Sequence, residues 1–241
     1  MTSSTEFSPA IATRRGGATD HVANALRQSI VTLELVPGAQ LDKRVLTARF
    51  GVSRFPISEA LNRLKREGLV DVRPQSGSRV SLIRLSDAEE NLFMRRALEA
   101  EVAEALARRG DADLLAELKD NLRRQKIAVD TDDREDFHAL DLALHDRMVE
   151  ALAFPRLRAI TESVRLSLDR VRRLLGSPRR HAVTYGEHVQ IVAALEAGRP
   201  DDARAAMVAH IDAVLTELRI FCRKHPEVFA DLTAPSADGR P

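Results

Sequence analysis

Apolar positions recur along this chain with two different periods, and the change from one to the other lays out its elements. Val22, Leu26, Ile30 and Leu33 form a helical stripe that predicts a helix from about Asp20 to Glu34, stopped by Pro37-Gly38. Leu46, Phe50 and Val52, then Ile57, Ala60, Leu61 and Leu64, give one apolar side to residues 41–67. The last four stand at i, i+3, i+4 and i+7, the spacing of an amphipathic helix. The stretch therefore predicts a short helix, a tight turn at Gly51, and a second helix capped by Ser53. The polar side of that second helix carries Arg54, Phe55, Ser58, Asn62, Lys65 and Arg66. The period then falls to two in LVDVR (69–73) and RVSLI (79–83), joined by PQSGS, which predicts a hairpin with Gly77 in its loop. Three helices followed by a two-stranded wing make a winged helix-turn-helix, whose second motif helix presents side chains to a DNA major groove.

From Ser86 the helical period returns and holds to about Lys224. Breaks near Arg109-Gly110, Asp130–Asp133, Phe154-Pro155, Gly176–Pro178 and Gly198–Pro200 divide it into six helices. They run over about 87–109, 112–129, 134–153, 155–174, 181–197 and 201–224. Amphipathic helices joined by short turns pack as an antiparallel bundle. The expected fold is mainly α: a disordered arm over 1–17, a winged helix-turn-helix over 18–84, a six-helix bundle over 87–224 and a flexible tail over 225–241.

Charge separates the same two parts. Residues 1–84 hold 13 Lys and Arg against 7 Asp and Glu, a net +6, which leaves −5 for the remainder of a chain whose total is +1. Only the N-terminal part is therefore suited to a polyanion. A single cysteine, Cys222, excludes an internal disulfide framework and suits a reducing compartment. No apolar run approaches the roughly 18 residues of a membrane span, and the N-terminus lacks the apolar core of a secretory signal. A cytoplasmic protein with no membrane partner is expected.

The bundle has polar residues in its apolar stripes. Asp141 and His145 lie four apart, on the face that carries Phe137, Leu140, Leu144, Met148 and Leu152. His188 heads a stripe with Ile191, Val192 and Leu195, and His210 lies among Met207, Ile211 and Val214. The turn between the last two helices centres near Arg199, 11 residues from each histidine. At ~1.5 Å per residue both lie roughly 16 Å from it, level in an antiparallel pair. Three imidazoles and a carboxylate meeting in a bundle core suit a divalent metal, with Zn, Ni, Mn and Fe all compatible. Arg95 and Glu99 share an inward face with Leu92, Val102 and Leu106, so Arg95 stands either as a carboxylate anchor or in an intrahelical pair with Glu99.

Two stretches carry a family resemblance. PGAQLDKRVLTARFGVSRFPISEALNRLKREGLVDVRPQSGSRV resembles the DNA-binding domain of GntR-type bacterial transcription regulators. The helical part is similar to the all-helical, metal-binding FCD effector domain of the FadR subgroup. Its marks are R-x-x-LE at 95–99, D-x-x-x-H at 141–145, EH-x-x-I at 187–191 and AHI at 209–211. The resemblance implies DNA contacts from Arg44 and Arg54, a wing tip at Gly77, and Asp141, His145, His188 and His210 as metal ligands. Arg54, directly after Ser53, is placed to reach a guanine edge or a phosphate. Phe55 stands where threonine is common and can meet a thymine methyl. Ser58 departs from the family, which usually has arginine just before EAL.

The reading is a non-enzymatic, ligand-responsive regulator, in this family most often a repressor, controlling metabolic genes. It would bind an inverted repeat as a homodimer and take a small carboxylate at the metal, with Arg95 as second anchor. The competing readings are a metal-dependent hydrolase using the same four ligands and a structural nucleoid protein. The first lacks an evident general base, and neither explains a DNA-binding head joined to a polar bundle core.

Overall fold

The structure, a computed structural model, describes residues 15–73 and 77–232. Chain contacts divide it between Ser81 and Leu82 into two units.

In the first unit α1 (Arg15–Val31), α2 (Lys43–Phe50) and α3 (Arg54–Arg66) precede strands β1 (Val70–Arg73) and β2 (Gly77–Val80). Helix α1 starts five residues before the expected Asp20, so residues 15–17 of the expected arm are helical; residues 1–14 lie outside the described residues. It stops at Val31 because Leu33 turns to φ +63°. Val22, Leu26, Ile30, Ile57, Ala60 and Leu64 are fully buried together, as their spacing requires. Asp42 caps α2 by accepting from the Arg44 N–H at 2.6 Å, and Gly51 closes it in the left-handed region. Ser53 has the N-cap backbone of α3, but its side chain makes no cap bond. The third helical residue is Pro56, which has no N–H to give.

The wing strands pair antiparallel from Val70↔Val80 to Arg73↔Gly77. Gly77 is the first residue of β2, at φ +83°, rather than part of the loop, and β2 ends at Val80 rather than Ile83. Loop residues 74–76 lie outside the described residues. The free edge of β2 is taken by residues 38–41: Val80 N–H donates to Ala39 O at 2.9 Å and Leu41 N–H to Ser78 O at 2.8 Å. Arg27 grips Glu67 with two bonds of 2.8 and 2.7 Å, tying α1 to the end of α3.

The second unit is built of α4 (Leu85–Arg109), α5 (Ala112–Asp130), α6 (Arg134–Ala151), α7 (Pro155–Leu175), α8 (Pro178–Glu196) and α9 (Pro200–Lys224). Each predicted helix is present with boundaries shifted by at most three residues. Asp111, Asp133 and Ser177 cap α5, α6 and α8 with their side chains, and Gly110 ends α4 at φ +64°. Helix α4 packs chiefly on α9 and also on α7, while α5 packs on α6 and α8. Leu92, Leu118, Leu144, Met148, Leu168 and Ile191 are among the largest side chains sealed in this core.

The expected tail is ordered over its first part. After α9 a 3-10 turn (Pro226–Val228) brings Phe229 back into the bundle core, fully buried. Ile83 N–H donates to Val228 O at 3.0 Å, and Ala230 N–H to Ile83 O at 2.8 Å. Asp231 then accepts from the Leu85 and Ser86 N–H groups at 2.8 and 2.9 Å. It supplies the cap that Arg84, at the N-cap of α4, cannot. Residues 233–241 lie outside the described residues.

Candidate metal centre and nucleic-acid interface

Helix α6 presents Asp141 and His145 one turn apart, α8 presents His188, and α9 presents His210. One ligand atom from each lies within 4.8 Å of the other three, and all four residues are buried. Asp141 Oδ1 is 3.4 Å from His188 Nε2 and 3.7 Å from His145 Nε2. Two donors at about 2.1 Å from one ion stand roughly 3–4 Å apart, so both separations fit shared coordination.

What surrounds each imidazole is as telling as the cluster. Glu99 Oε2 lies 2.7 Å from His145 Nδ1. Gln125 Oε1 lies 2.9 Å from His188 Nδ1, and Glu187 Oε2 2.8 Å from His210 Nδ1. A carboxylate cannot donate, so His210 carries the proton on Nδ1 when neutral, and the Glu99 carboxylate favours the same tautomer of His145, though their contact lacks hydrogen-bond geometry. The Gln125 amide is fixed in the same sense, because its Nε2 donates to Asn121 Oδ1 at 2.7 Å. All three rings therefore turn an unprotonated Nε2 inward. Those three nitrogens are buried without a hydrogen-bond partner. Three sealed, unpaired lone pairs around one carboxylate are costly in a protein interior and are relieved by a cation.

Electrostatics agree. Burial drives His188 and His210 well below the ordinary imidazole value, and neighbouring imidazoles push them the same way. Burial, the largest single influence, also opposes charge on His145, but the Glu99 and Asp141 carboxylates together outweigh it and raise that pKa. Burial opposes ionisation of Asp141, yet Arg172 and the imidazoles hold it well below the usual carboxylate range. Glu99 is likewise held anionic by Arg95 and His145 against its burial.

A second layer of arginines encloses the centre. Arg95 faces inward as expected and is 3% exposed, but it forms the intrahelical pair, with bonds of 2.6 and 3.0 Å to Glu99. Its Nη1 has no hydrogen-bond partner. Arg172 Nη1 lies 3.1 Å from Asp141 Oδ2, and Arg180 holds Glu187 with bonds of 3.1 and 2.9 Å. Burial and the nearby positive charge of Arg95 lower the Arg172 pKa. One narrow cavity is lined by Arg95, Glu99, His145, Thr161, Arg165 and Arg172. A second is lined by His138, Asp141, Arg172, Arg180, Thr184 and His210, so Arg172 borders both.

Gln125 and Glu187 escaped the sequence reading. Each is a polar residue in an otherwise ordinary helix, and only the crossing of α5 with α8 and of α8 with α9 assigns its partner. His138, beside Phe137 on α6, sits 2.6 Å from Asp169 Oδ1.

In the first unit the outer face of α3 presents Arg54, Phe55 and Asn62, with Ser58 half-buried between them. Phe55 is 69% exposed. Arg44 projects from α2 with its side chain 81% exposed.

Comparison with known proteins joins these two units. Residues 18–80 match the model of the bacterial regulatory proteins of the gntR family, and residues 90–213 match the FCD domain. The chain belongs to the GntR family of transcription regulators. A Streptomyces ambofaciens HTH-type transcriptional regulator from an unstable DNA locus is 38% identical over 85% of this chain and 86% of its own. The Escherichia coli K12 HTH-type transcriptional repressor RspR is 28% identical over 86% of this chain and 91% of its own. Among solved structures, E. coli McbR/YncC superposes with a TM-score of 0.65 at 21% identity, covering 85% of this chain and 98% of its own, which shows the shared fold. The family and these relatives are DNA-binding transcription regulators, and such regulators generally act as dimers. The hydrolase reading therefore falls. Among the described residues no helix of this regulator is long and apolar enough to cross a membrane.

Proposed function

We propose that this GntR-family chain is a cytoplasmic, ligand-responsive repressor of metabolic genes, with a small carboxylate as effector. The reading rests on the inward set of unpaired Nε2 atoms, which suits Asp141, His145, His188 and His210 to one divalent ion, Zn, Ni, Mn or Fe. Bound there, the ion supplies Lewis acidity and coordination positions for a ligand oxygen.

The charge around the centre supports an anionic effector. Arg95, Arg172 and Arg180 balance Glu99, Asp141 and Glu187, so a divalent ion among neutral imidazoles leaves two positive charges uncompensated. Arg95 Nη1, Arg165 Nε and Arg172 Nη1 are buried without hydrogen-bond partners, and all three residues line one cavity. A carboxylate reaching Arg95 and Arg172 meets charge-assisted donors whose hydrogen bonds are still to be made. To regulate, the ligand must favour one arrangement of the bundle over another.

On DNA, the head reads through α3. Arg54 and Phe55 contact bases, Arg44 holds phosphate, and Gly77 brings the wing backbone to the minor groove; Ser53 and Ser58 complete the face. A homodimer on an inverted repeat follows from two heads related by two-fold symmetry.

A calorimetric screen of small organic acids against metal-loaded protein tests the effector. Carboxylates should bind, binding should vanish in His188→Ala and weaken in Arg95→Ala and Arg172→Ala, and operator binding without effector should persist. An uncharged effector, or equal binding to metal-stripped protein, would sink the carboxylate mechanism.

A further inference from the structure

The buried side of α3 is Pro56, Ile57, Ala60, Leu61 and Leu64. At 100° per residue, Phe55 and Asn62 lie opposite that side, and Ser58, half-buried, lies on the flank of the exposed face between them and Arg54. Ser58 is itself too short to cross a groove. The structure supplies a longer side chain from another helix. Lys43, the first residue of α2, reaches over and donates from Nζ to Ser58 Oγ at 3.2 Å. Among the described residues no carboxylate pairs with Lys43, so one N–H is anchored and two remain free. A solvated lysine loses rotamer freedom when it is held this way. Here the ammonium is held beside Ser58, three residues along α3 from Phe55, whose ring is exposed.

Two free N–H groups at that point match the two acceptors, O6 and N7, that guanine shows in the major groove, while an exposed phenyl ring suits a thymine methyl. We propose that Lys43, steadied on Ser58, is a base-reading residue of this regulator and takes a guanine in each half-site, with Phe55 against a neighbouring thymine. This rests on α3 being the recognition helix. Arg44, the adjacent residue of α2, lacks such a perch and belongs to the phosphate-holding class. Specificity is thus shared between two helices, because α3 carries only a short serine at position 58.

Selection of binding sites from a randomised duplex pool, followed by affinity measurement, tests this with the full chain. The wild type should select a fixed guanine in each half-site. Lys43→Ala should lose that preference, binding the selected site about tenfold more weakly while losing little on a duplex in which that pair is changed. Ser58→Ala should weaken the same preference, and the double variant should be no worse than Lys43→Ala alone, because both remove one device. Ser58→Arg should expel the ammonium by like-charge repulsion and select a different base. A uniform loss on all duplexes with a salt slope reduced by about one would show that Lys43 holds phosphate, and the proposal fails. Unchanged selection in Lys43→Ala overturns it equally. Arg54→Ala in parallel separates the two layers. If it binds as wild type, the recognition helix itself is misassigned; if it loses the site while Lys43→Ala is neutral, only the lysine assignment falls. Lys43 is exposed, so melting curves should match the wild type.

Discussion

Single residues set the chemistry of both units. Each histidine of the candidate metal centre has a partner outside the four-residue cluster: Glu99 for His145, Gln125 for His188 and Glu187 for His210. Gln125→Ala should leave the fold largely intact but let the His188 ring rotate and exchange tautomers. Metal affinity should drop about 10- to 100-fold in competition with a chromophoric chelator. An unchanged affinity would mean that packing alone orients the ring. In the head, Arg54→Ala should cost at least about 1–3 kcal/mol on the operator, read by mobility shift. These residues differ in how visible they were. Asp141 and His145 are polar interruptions of an apolar stripe on one helix, which a sequence exposes directly. Gln125 is one of many helical glutamines until α8 is laid against α5.

At the scale of elements, capping and closure explain where helices stop and what holds them. Asp42, Asp111, Asp133 and Ser177 cap the starts of α2, α5, α6 and α8, because a short acceptor satisfies N–H groups a few residues on; the Ser177 cap starts α8 three residues before the expected 181. Helix α4 has no such residue, and its cap comes from Asp231, 146 residues away from Leu85. Asp231→Ala should destabilise the bundle by about 1 kcal/mol, and Phe229→Ala by about 3–5 kcal/mol through the cavity it leaves. Denaturant melts should rank them in that order. Burial, the largest single influence, opposes the Asp231 carboxylate, but the hydrogen bonds it accepts at Ser86 and Leu85 together outweigh it and hold its pKa below the ordinary value. Its folded pKa is thus the lower one. The stabilisation is full above the unfolded value near 4 and is lost as pH falls through the folded value. The pH dependence of Asp231→Ala should therefore be flatter than that of the wild type below about pH 4.

The whole molecule couples these elements to its surroundings. An ion that binds only the folded bundle stabilises it by mass action, about 2.7 kcal/mol at a hundredfold excess over Kd. Chelator should then lower the melting temperature by roughly 5–10 °C, and adding back the right metal should restore it. No metal after chelator-free purification and no thermal shift with added ions would count heavily against the centre. Operator affinity should fall steeply with salt, since a basic head gains binding by releasing counterions. A dimeric footprint on an inverted repeat is the accompanying expectation.

The sequence by itself determined the elements, their order and the polar intruders, because periodicity, turn residues and helix stops are local. Ile57, Ala60, Leu61 and Leu64 can be buried together only on a helix, and Gly51 before Ser53 can only be a turn. Equal spacing of His188 and His210 from the Arg199 turn likewise forces them level once the helices are antiparallel. Tertiary structure alone decided the rest. It gave Arg95 to Glu99, turned three Nε2 atoms inward through Glu99, Gln125 and Glu187, laid Lys43 over Ser58, and returned Phe229 and Asp231 to the start of α4. Each of these is a choice among several chemically equivalent partners. Such a choice is made by which helix lies alongside which, at distances of a few ångströms that no local pattern encodes.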